Sequence, residues 1–550
     1  MRNLLNLTAA ALTALLVQAC GTSSTSNNND AGATVQHVLL ISVDGMHEQD
    51  MALCISNNTC PHIAALANTG VRFDTAFTPH MSDSFPGLAA LITGGSPKST
   101  GLFYDVSYDR NLYAPTDTTC SGGQGWNVVF DETTGLDGFD GGALVHLNGG
   151  GGFNPQAIPH EKDGGNCVPV YPHNYIRTNT IFEVVKANVP GARTAWADKH
   201  AYGYDWVNGP SGTGVDDLAR TEINSTVPGK SSDWTGVYTD TETFDGYHVQ
   251  IILNQIDGKD SSGNPATVPT LFGTNFQTLS VAEKANNAKD PTNPAGGGYT
   301  DANFTPGVDV AAAIAFVDTS IGSFVSELQA KNLLDSTLIV VTAKHGQSPA
   351  DYSKLVKNGD TLTALLEANN YLDPNGNFGQ YATVTGSLND GSGLVGTGIV
   401  QTDDVGLIWL KDQSQTAAAV ATLQANLGCA DGGICANNSD GTAYILSGQS
   451  MIDTFGDPAD GRTPDIFVQP NPGVIYSGSK KKDQEHGGFS ADDSHVALLV
   501  SLPSLPKQTV TTKVSTTQVA ATILKALGLD PSLLQSVKAE NTAVLPNLPF

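Results

Sequence analysis

At 550 residues, 40% apolar and 15% charged, the chain has room for one large domain with insertions, or for two to three domains, and for a sizeable core. A formal net charge of −27 argues against binding to nucleic acid polymers or anionic lipid, while a local cationic pocket for a small anion remains compatible with it. The 59 glycines and 28 prolines predict many loops.

The chain begins with a targeting segment: Arg2 supplies positive charge, and Ala9 to Val17 is an apolar stretch suited to a signal-peptide core. It ends in Leu16-Val17-Gln18-Ala19-Cys20, which resembles a bacterial lipobox with a less usual Gln18. That resemblance implies cleavage before Cys20, a lipid on its sulfur, and a protein held in the bacterial cell envelope by that lipid alone. Plain secretion with Cys20 incidental is the alternative. Gly21 to Thr34, rich in Ser, Asn and Thr, reads as a flexible tether, and no later segment reads as a membrane span. Six further cysteines suggest disulfides in an exported chain. The close pairs Cys54/Cys60 and Cys429/Cys435 are natural partners, which leaves Cys120 with Cys167.

Val35 to Val43 is a nearly continuous apolar run and reads as a buried parallel strand with Asp44-Gly45 at its C-terminal end, where open α/β sheets place ligand sites. Pro61 to Thr69 reads as a helix and Gly70 to Phe73 as a second strand. Ser84-Phe85-Pro86 then opens an apolar run that Gly94-Gly95 closes. Proline is tolerated in a first helical turn and glycine often follows the last, so Ser84 is expected at a helix N-terminus, where free N–H groups favour anions. Taken alone, the motif is first of all that of an ordinary N-cap serine. Thr180 to Ala187 reads as a helix and Arg193 to Trp196 as a strand, ending in Asp198-Lys199-His200, a trio that suits either a pocket edge or a solvated strand end. Residues 205–305 read as a long polar segment with a strand-like piece at Leu271 to Ser280. Val310 to Lys331 is a long periodic helix, and Leu338 to Thr342 a buried strand followed by Ala343-Lys344-His345-Gly346. Late in the chain come Glu485-His486-Gly487-Gly488-Phe489, a strand at His495 to Ser501, and a helix at Thr516 to Leu527.

These motifs in this order resemble the alkaline phosphatase superfamily, and most closely its type I phosphodiesterase/nucleotide pyrophosphatase branch. The resemblance rests on the strand ending Val43-Asp44-Gly45, the run from Pro61 through Leu66-Ala67 to Gly70-Val71 and Phe73, the Ser84-Phe85-Pro86 element and the two His-Gly motifs. It covers most of Val35 to Pro531. It implies an α/β fold, a sandwich of helices around a mostly parallel sheet with inserted loops and a small α+β cap. The expected partition is signal peptide 1–20, tether 21–34, core 35–349 with insertions at 110–175 and 205–305, cap 350–480, and core completion 481–550.

The family reaction uses a hydroxyl nucleophile, usually threonine, and two zinc ions that supply most of the positive charge. Carried over residue by residue, Ser84 takes the nucleophile's place, with Asp44, His345 and His486 at metal-ligand positions. Lys344 stands where the family has a metal-binding carboxylate. No Asp-x-x-x-His motif stands out between His200 and Val310, and Asn275 falls at the missing aspartate, although Asn is a poor zinc ligand. The resemblance therefore implies a centre reduced to one divalent ion, zinc or calcium, or to none, with Lys344 pairing Asp44 and supporting Ser84. The catalytic candidates are Ser84, Lys344 and Asp44. Asp105, near the family's phosphoryl-binding asparagine, joins Asn275 and His200 as substrate-binding candidates, and the Asp198/His200 pair is a further place for one metal. An ionised Asp105 favours a phosphodiester, with one negative charge, over a monoester with two.

The resulting reading is an exported hydrolase that cleaves phosphodiester or related small-molecule ester bonds through a covalent Ser84 intermediate. Three alternatives stand beside it: a sulfate or phosphonate ester hydrolase, a hydrolase of neutral substrates such as glycosides using Asp105, and a binding protein that has lost catalysis. Sulfatases of the superfamily mature a Cys or Ser within a Cys/Ser-x-Pro-x-Arg motif, and Ser84-Phe85-Pro86-Gly87-Leu88 lacks the arginine.

Overall fold

The computed structural model describes residues 35–129, 134–135, 151–200, 202–285, 297–373, 395–426, 444–477 and 482–550. The targeting segment, the tether and Cys429/Cys435 lie outside them. Among the described cysteines, Cys54 pairs with Cys60 and Cys120 with Cys167.

The apolar run at the start of the described chain forms β1 (His37–Val43), the strand about which the core is built. Its side chains alternate between two cores, as the two-residue period of a strand dictates. Val38 and Leu40 pack with Leu88, Leu91 and Ile92 of the Ser84–Thr93 helix. Leu39, Ile41 and Val43 pack with Val310, Val317, Ile321 and Phe324 of the Val308–Ala330 helix. Each such side chain, fully removed from water, contributes about 1.5–3 kcal/mol. The result is a sheet covered by helices on both faces. That is why β1 reads as a continuous apolar run instead of an alternating one.

Seven further strands complete the sheet: β2 (Gly70–Phe73), β3 (Thr194–Asp198), β4 (Asp217–Arg220), β5 (Leu271–Phe276), β6 (Thr337–Thr342), β7 (Leu498–Ser501) and β8 (Gln508–Val510). Their order is β8-β2-β7-β6-β1-β5-β3-β4. β1 pairs in parallel with both β5 and β6, and only β7 runs against the rest. The C-terminal ends of β1, β3, β5 and β6 therefore meet at one edge. The register that sets Ser42 opposite both Asn275 and Thr342 brings Asp44, Asp198, Asn275 and Lys344 to the same level.

The Ser84–Thr93 helix is buried along its whole length. Asp83 is its N-cap, accepting the Phe85 N–H at 3.0 Å, and Gly94 closes it in the left-handed region at φ 76°. Ser84 is thus the first helical residue. Gly87 lets this helix approach the end of β6: a Cβ there would lie 2.3 Å from the Lys344 carbonyl oxygen.

A smaller antiparallel sheet forms the cap from Ile399–Thr402, Gly406–Trp409, Ile466–Gln469 and Tyr444–Ser447. Ile408, Ile466 and Val468 on one face pack against Leu362, Leu366, Ala419 and Leu423. Leu407, Trp409 and Phe467 on the other pack against Phe103, Tyr104, Val106 and Tyr108 of the core. This contact sets the cap over the sheet edge. The 205–305 segment differs from the sequence expectation, since it contains a 19-residue helix, Tyr238–Ile256. Its buried side includes Asp240, Thr241, Asp245, His248 and Gln255, so the helical period is written largely in polar residues. The strand-like piece at Leu271 to Ser280 is shorter than expected: β5 ends at Phe276 and a Thr278–Lys284 helix follows.

Because backbone atoms and not a flexible side-chain end face Gly87, Gly87→Ala should displace the helix. We expect it to cost about 1–3 kcal/mol of stability, read by denaturant unfolding, and to lower activity by moving Ser84.

Candidate active site

Ser84 is 2% exposed and sits at the sheet edge where β1 and β6 end. Its Oγ lies 3.3 Å from Asp44 Oδ2, 3.1 Å from His345 Nε2 and 2.9 Å from Lys199 Nζ. Lys199 also donates to Asp44 Oδ2 at 3.1 Å, with its side chain 12% exposed. Lys344 is fully buried and donates to both oxygens of Asp198, at 3.0 and 2.9 Å, and to Tyr204 Oη at 3.1 Å. Its Nζ stands 4.0 Å from Asp44 Oδ1, an oxygen that no hydrogen bond reaches. Two ion pairs, Lys199–Asp44 and Lys344–Asp198, therefore interlock beneath the hydroxyl.

The charge states follow from this packing. Burial alone would raise the Asp44 carboxyl, but Lys344, then Lys199 and His345, hold it well below the usual carboxylate range. Burial pulls Lys199 down, and Asp44 and Asp198 more than restore it, so it stays protonated. His345 is pushed down to about 3 by burial, against Asp44 and reinforced by Lys199 and Lys284, and is a neutral imidazole at ordinary pH. Burial, with His345 and three lysines behind it, also keeps His486 neutral. The His486 ring lies 4.0 Å from that of His345, and its Nδ1 lies 3.6 Å from Asp83 Oδ2. Burial, aided by Asp105, raises Asp83.

A cleft of about 660 Å³ opens over this group. Lys199, His200, Gln277, Lys284, Asp105 and His486 line it together with Val400, Gln401, Thr402 and Asp403 of the cap.

The candidates from the sequence fall into place unevenly. Asp44, Ser84 and His345 are brought together, with His486 beside them. Lys344 is not in contact with Ser84 among the described interactions. The lysine that touches both Ser84 and Asp44 is Lys199, which sequence reasoning placed at a pocket edge without a role. His200 lines the cleft with its Nδ1 held 2.9 Å from Glu222, so the Asp198/His200 pair points to two different partners. Asp105 lines the cleft and accepts the Val106 N–H at 2.8 Å. Asn275 is buried, and neither polar atom of its side chain has a hydrogen-bond partner; at this strand end it is Gln277 that reaches the cleft.

These donors do not fit the two-metal centre that the family resemblance implies. A zinc ion needs anionic or neutral donors around it. Here the carboxylate position is an ammonium, and a second ammonium lies between Ser84 and Asp44. Among the described residues, the one group of His and carboxylate donors within 4.8 Å of one another is His47, Asp50 and Glu283. All three are engaged in hydrogen bonds: His47 Nδ1 lies 2.9 Å from Asp50, and Tyr299 Oη donates to Glu283 at 2.7 Å.

The sheet order, the helix-borne hydroxyl at its C-terminal edge and the cap over it define an α/β hydrolase of alkaline phosphatase type. Residues 38–493 match the family described as type I phosphodiesterase / nucleotide pyrophosphatase, and the chain belongs to that family. The fold is similar to that of murine ectonucleotide pyrophosphatase / phosphodiesterase 5, with 13% identity, 90% of this chain and 96% of that one covered, and a TM-score of 0.50. It is also similar to the alkaline phosphatase PafA, with 12% identity, the same 90% and 96% covered, and a TM-score of 0.54. No curated protein sequence matches the chain. Membership makes the protein a phosphoester hydrolase by class.

The His47 cluster behind the site carries a pH dependence. Burial disfavours the imidazolium, but the hydrogen bond and charge of Asp50, with Glu283 and Asp492, raise His47 to about 9. The stability linked to this proton is fully present below the ordinary value of 6.5 and is lost as pH rises through about 9. It amounts to as much as roughly 3 kcal/mol. The melting temperature of the wild type should fall across that window, and the fall should shrink in His47→Gln.

Proposed function

We propose that the protein is an exported phosphodiesterase that attacks its substrate with Ser84 and passes through a covalent seryl intermediate. The observation that carries this reading is the setting of one hydroxyl. Ser84 opens a helix capped by Asp83, and its Oγ lies within 3.3 Å of a carboxylate, an imidazole and an ammonium. Lys344 stands in for a metal-binding carboxylate, and its positive charge is spent on Asp198 and on the far oxygen of Asp44.

The cleft supports a diester over a monoester. Its lining carries Lys199, Lys284 and Lys482 beside Asp105, Asp233, Asp360, Asp403 and Glu485, and this excess of acidic groups suits a monoanionic phosphoryl group better than a dianionic one. Asp105, His200 and Gln277, which line the cleft, are the groups we assign to orienting the substrate, and Asn275 is buried at the end of β5 beside them. A cleft of about 660 Å³ on a chain of net charge −27 suits a small ester and not a nucleic acid polymer. Lipid attachment at Cys20 would hold the enzyme at the cell envelope, and the two disulfides are consistent with export.

Ser84→Ala should lower kcat on bis-p-nitrophenyl phosphate by at least ~10³-fold while leaving the melting temperature near that of wild type. A near-native rate would refute the covalent route. The same panel with aryl sulfate, phosphonate and glycoside substrates separates the alternative hydrolases, and a binding protein would turn over none of them. Mass spectrometry of the protein from its native host should find Cys20 lipidated and N-terminal; an unmodified N-terminus beyond residue 20 in soluble protein would exclude the anchor.

A further inference from the structure

We propose that the Lys199 ammonium takes the place of a divalent ion at the nucleophile, and that His345, with no metal to bind, receives the Ser84 proton. This rests on the reading of Ser84 as nucleophile and concerns how that hydroxyl is activated.

A metal that activated Ser84 would have to bond to both Ser84 Oγ and Asp44, at about 2.0–2.2 Å from each oxygen. Lys199 Nζ already touches these same two oxygens, at 2.9 Å and 3.1 Å. Lys344 Nζ covers the other side of the Asp44 carboxylate at 4.0 Å. A dication added between them would meet two ammonium groups across one carboxylate, and like charges at such distances repel strongly in a buried site. Lys199 is on the cleft wall, so its charge faces the reacting group as well as the structure beneath.

His345 supplies the second half. Its Nδ1 lies 2.8 Å from the Gly346 carbonyl oxygen, which can only accept. The ring proton is therefore on Nδ1, and Nε2 turns a lone pair toward Ser84 Oγ at 3.1 Å. A nitrogen that would otherwise be spent on a metal is available to a hydroxyl. The neighbouring His486 ring, 4.0 Å away, packs against this imidazole.

The step balances with water as the only co-reactant. Ser84 Oγ bonds to the phosphorus of the diester as the bond to one ester oxygen breaks. The Ser84 proton passes to His345 Nε2 and then to the departing oxygen, which leaves as an alcohol. Ser84 now carries the remaining alkyl phosphoryl group. Water attacks that phosphorus and gives a proton to His345, the bond to Ser84 breaks, and the proton returns to Ser84 Oγ as the phosphate monoester departs. Lys199 stays protonated throughout and holds the Ser84 oxygen whenever it carries charge.

Three measurements on the full-length protein test this. Zinc analysis of active wild type should find far less than one ion per chain, and treatment with a chelator should leave turnover of bis-p-nitrophenyl phosphate unchanged. Lys199→Met should lower kcat by about 10²–10³-fold with little change in KM, the loss expected when one preorganised donor to a developing oxyanion is removed. Lys199→Ala should recover part of its rate on addition of methylammonium, which a purely structural lysine would not do. Stoichiometric zinc with chelator-sensitive, zinc-restored activity would overturn the proposal, as would a wild-type rate in Lys199→Met. A wild type inert toward every ester would count against the proposed function, and its zinc content would still decide the present point: one bound ion per chain at Ser84 would overturn it.

Discussion

Asp44 is a fully buried carboxylate with a lysine on each side, and much of the molecule is arranged to make that tolerable. An unpaired charge at this depth would cost several kcal/mol, and breaking a buried pair by removing one partner costs about 3–5 kcal/mol. The two lysines come from different strand ends, Lys199 after β3 and Lys344 after β6, with β1 and β5 between them in the sheet order. Only a fixed register across four strands can bring them to one carboxylate. The requirement for charge balance is thus also a requirement on the fold.

That register is held by apolar packing on both faces of β1, with no polar group needed until the strand ends. The polar groups then appear together: Asp44, Asp198, Lys199, Lys344 and His345 all follow or terminate strands. Gly87 completes the arrangement from the other side by letting the Ser84 helix rest against the Lys344 backbone. The cap contributes Val400 to Asp403 to the lining of the cleft, and its contact with Phe103 to Tyr108 ties that part of the lining to the stretch bearing Asp105.

What was legible in the sequence follows the same division. β1, β6 and the Ser84 helix were readable because their apolar runs are unbroken and bounded by Gly, Pro or charged residues. The Tyr238–Ile256 helix was not, because its buried side carries Asp245, His248 and Gln255, which find partners on neighbouring elements: Asp245 accepts from the Gln277 and Thr278 N–H groups, the His248 ring lies 3.0 Å from the Asn275 carbonyl oxygen, and Gln255 donates to Asp217 at 3.3 Å. The direction of β7 was also hidden, since an apolar run does not encode it. At the site, Asp44, Ser84, His345 and His486 could be placed by motif. Lys199 could not be assigned, because adjacent residues of a charged trio at a strand end look alike in sequence. In the structure Asp198 pairs with Lys344, and Lys199, one residue past the end of β3, reaches Asp44 and Ser84. The signal that could have singled it out was Lys344 itself: a lysine at a ligand position calls for a buried acid to pair with it, and Asp198 was the nearest acid at a neighbouring strand end.

The altered residues also make sense as a set when their charges are added. A dication beside two ligand carboxylates is locally neutral. In this chain the two carboxylates in the same place are Asp44 and Asp198, and the two positive charges are those of Lys199 and Lys344. Changing one carboxylate ligand to lysine without any other change would leave excess positive charge in a dry site. Asp198 and Lys199, supplied together from the end of β3, add one charge of each sign, so that Asp44, Asp198, Lys199 and Lys344 are by themselves neutral as a set. Two ammonium groups stand here, each held by its own carboxylate and directed by its own strand. The difference lies in reach: a metal bonds to whatever donors enter its shell, whereas an ammonium on a fixed stem serves the oxygens that the backbone sets before it, and Lys199 is set before Ser84.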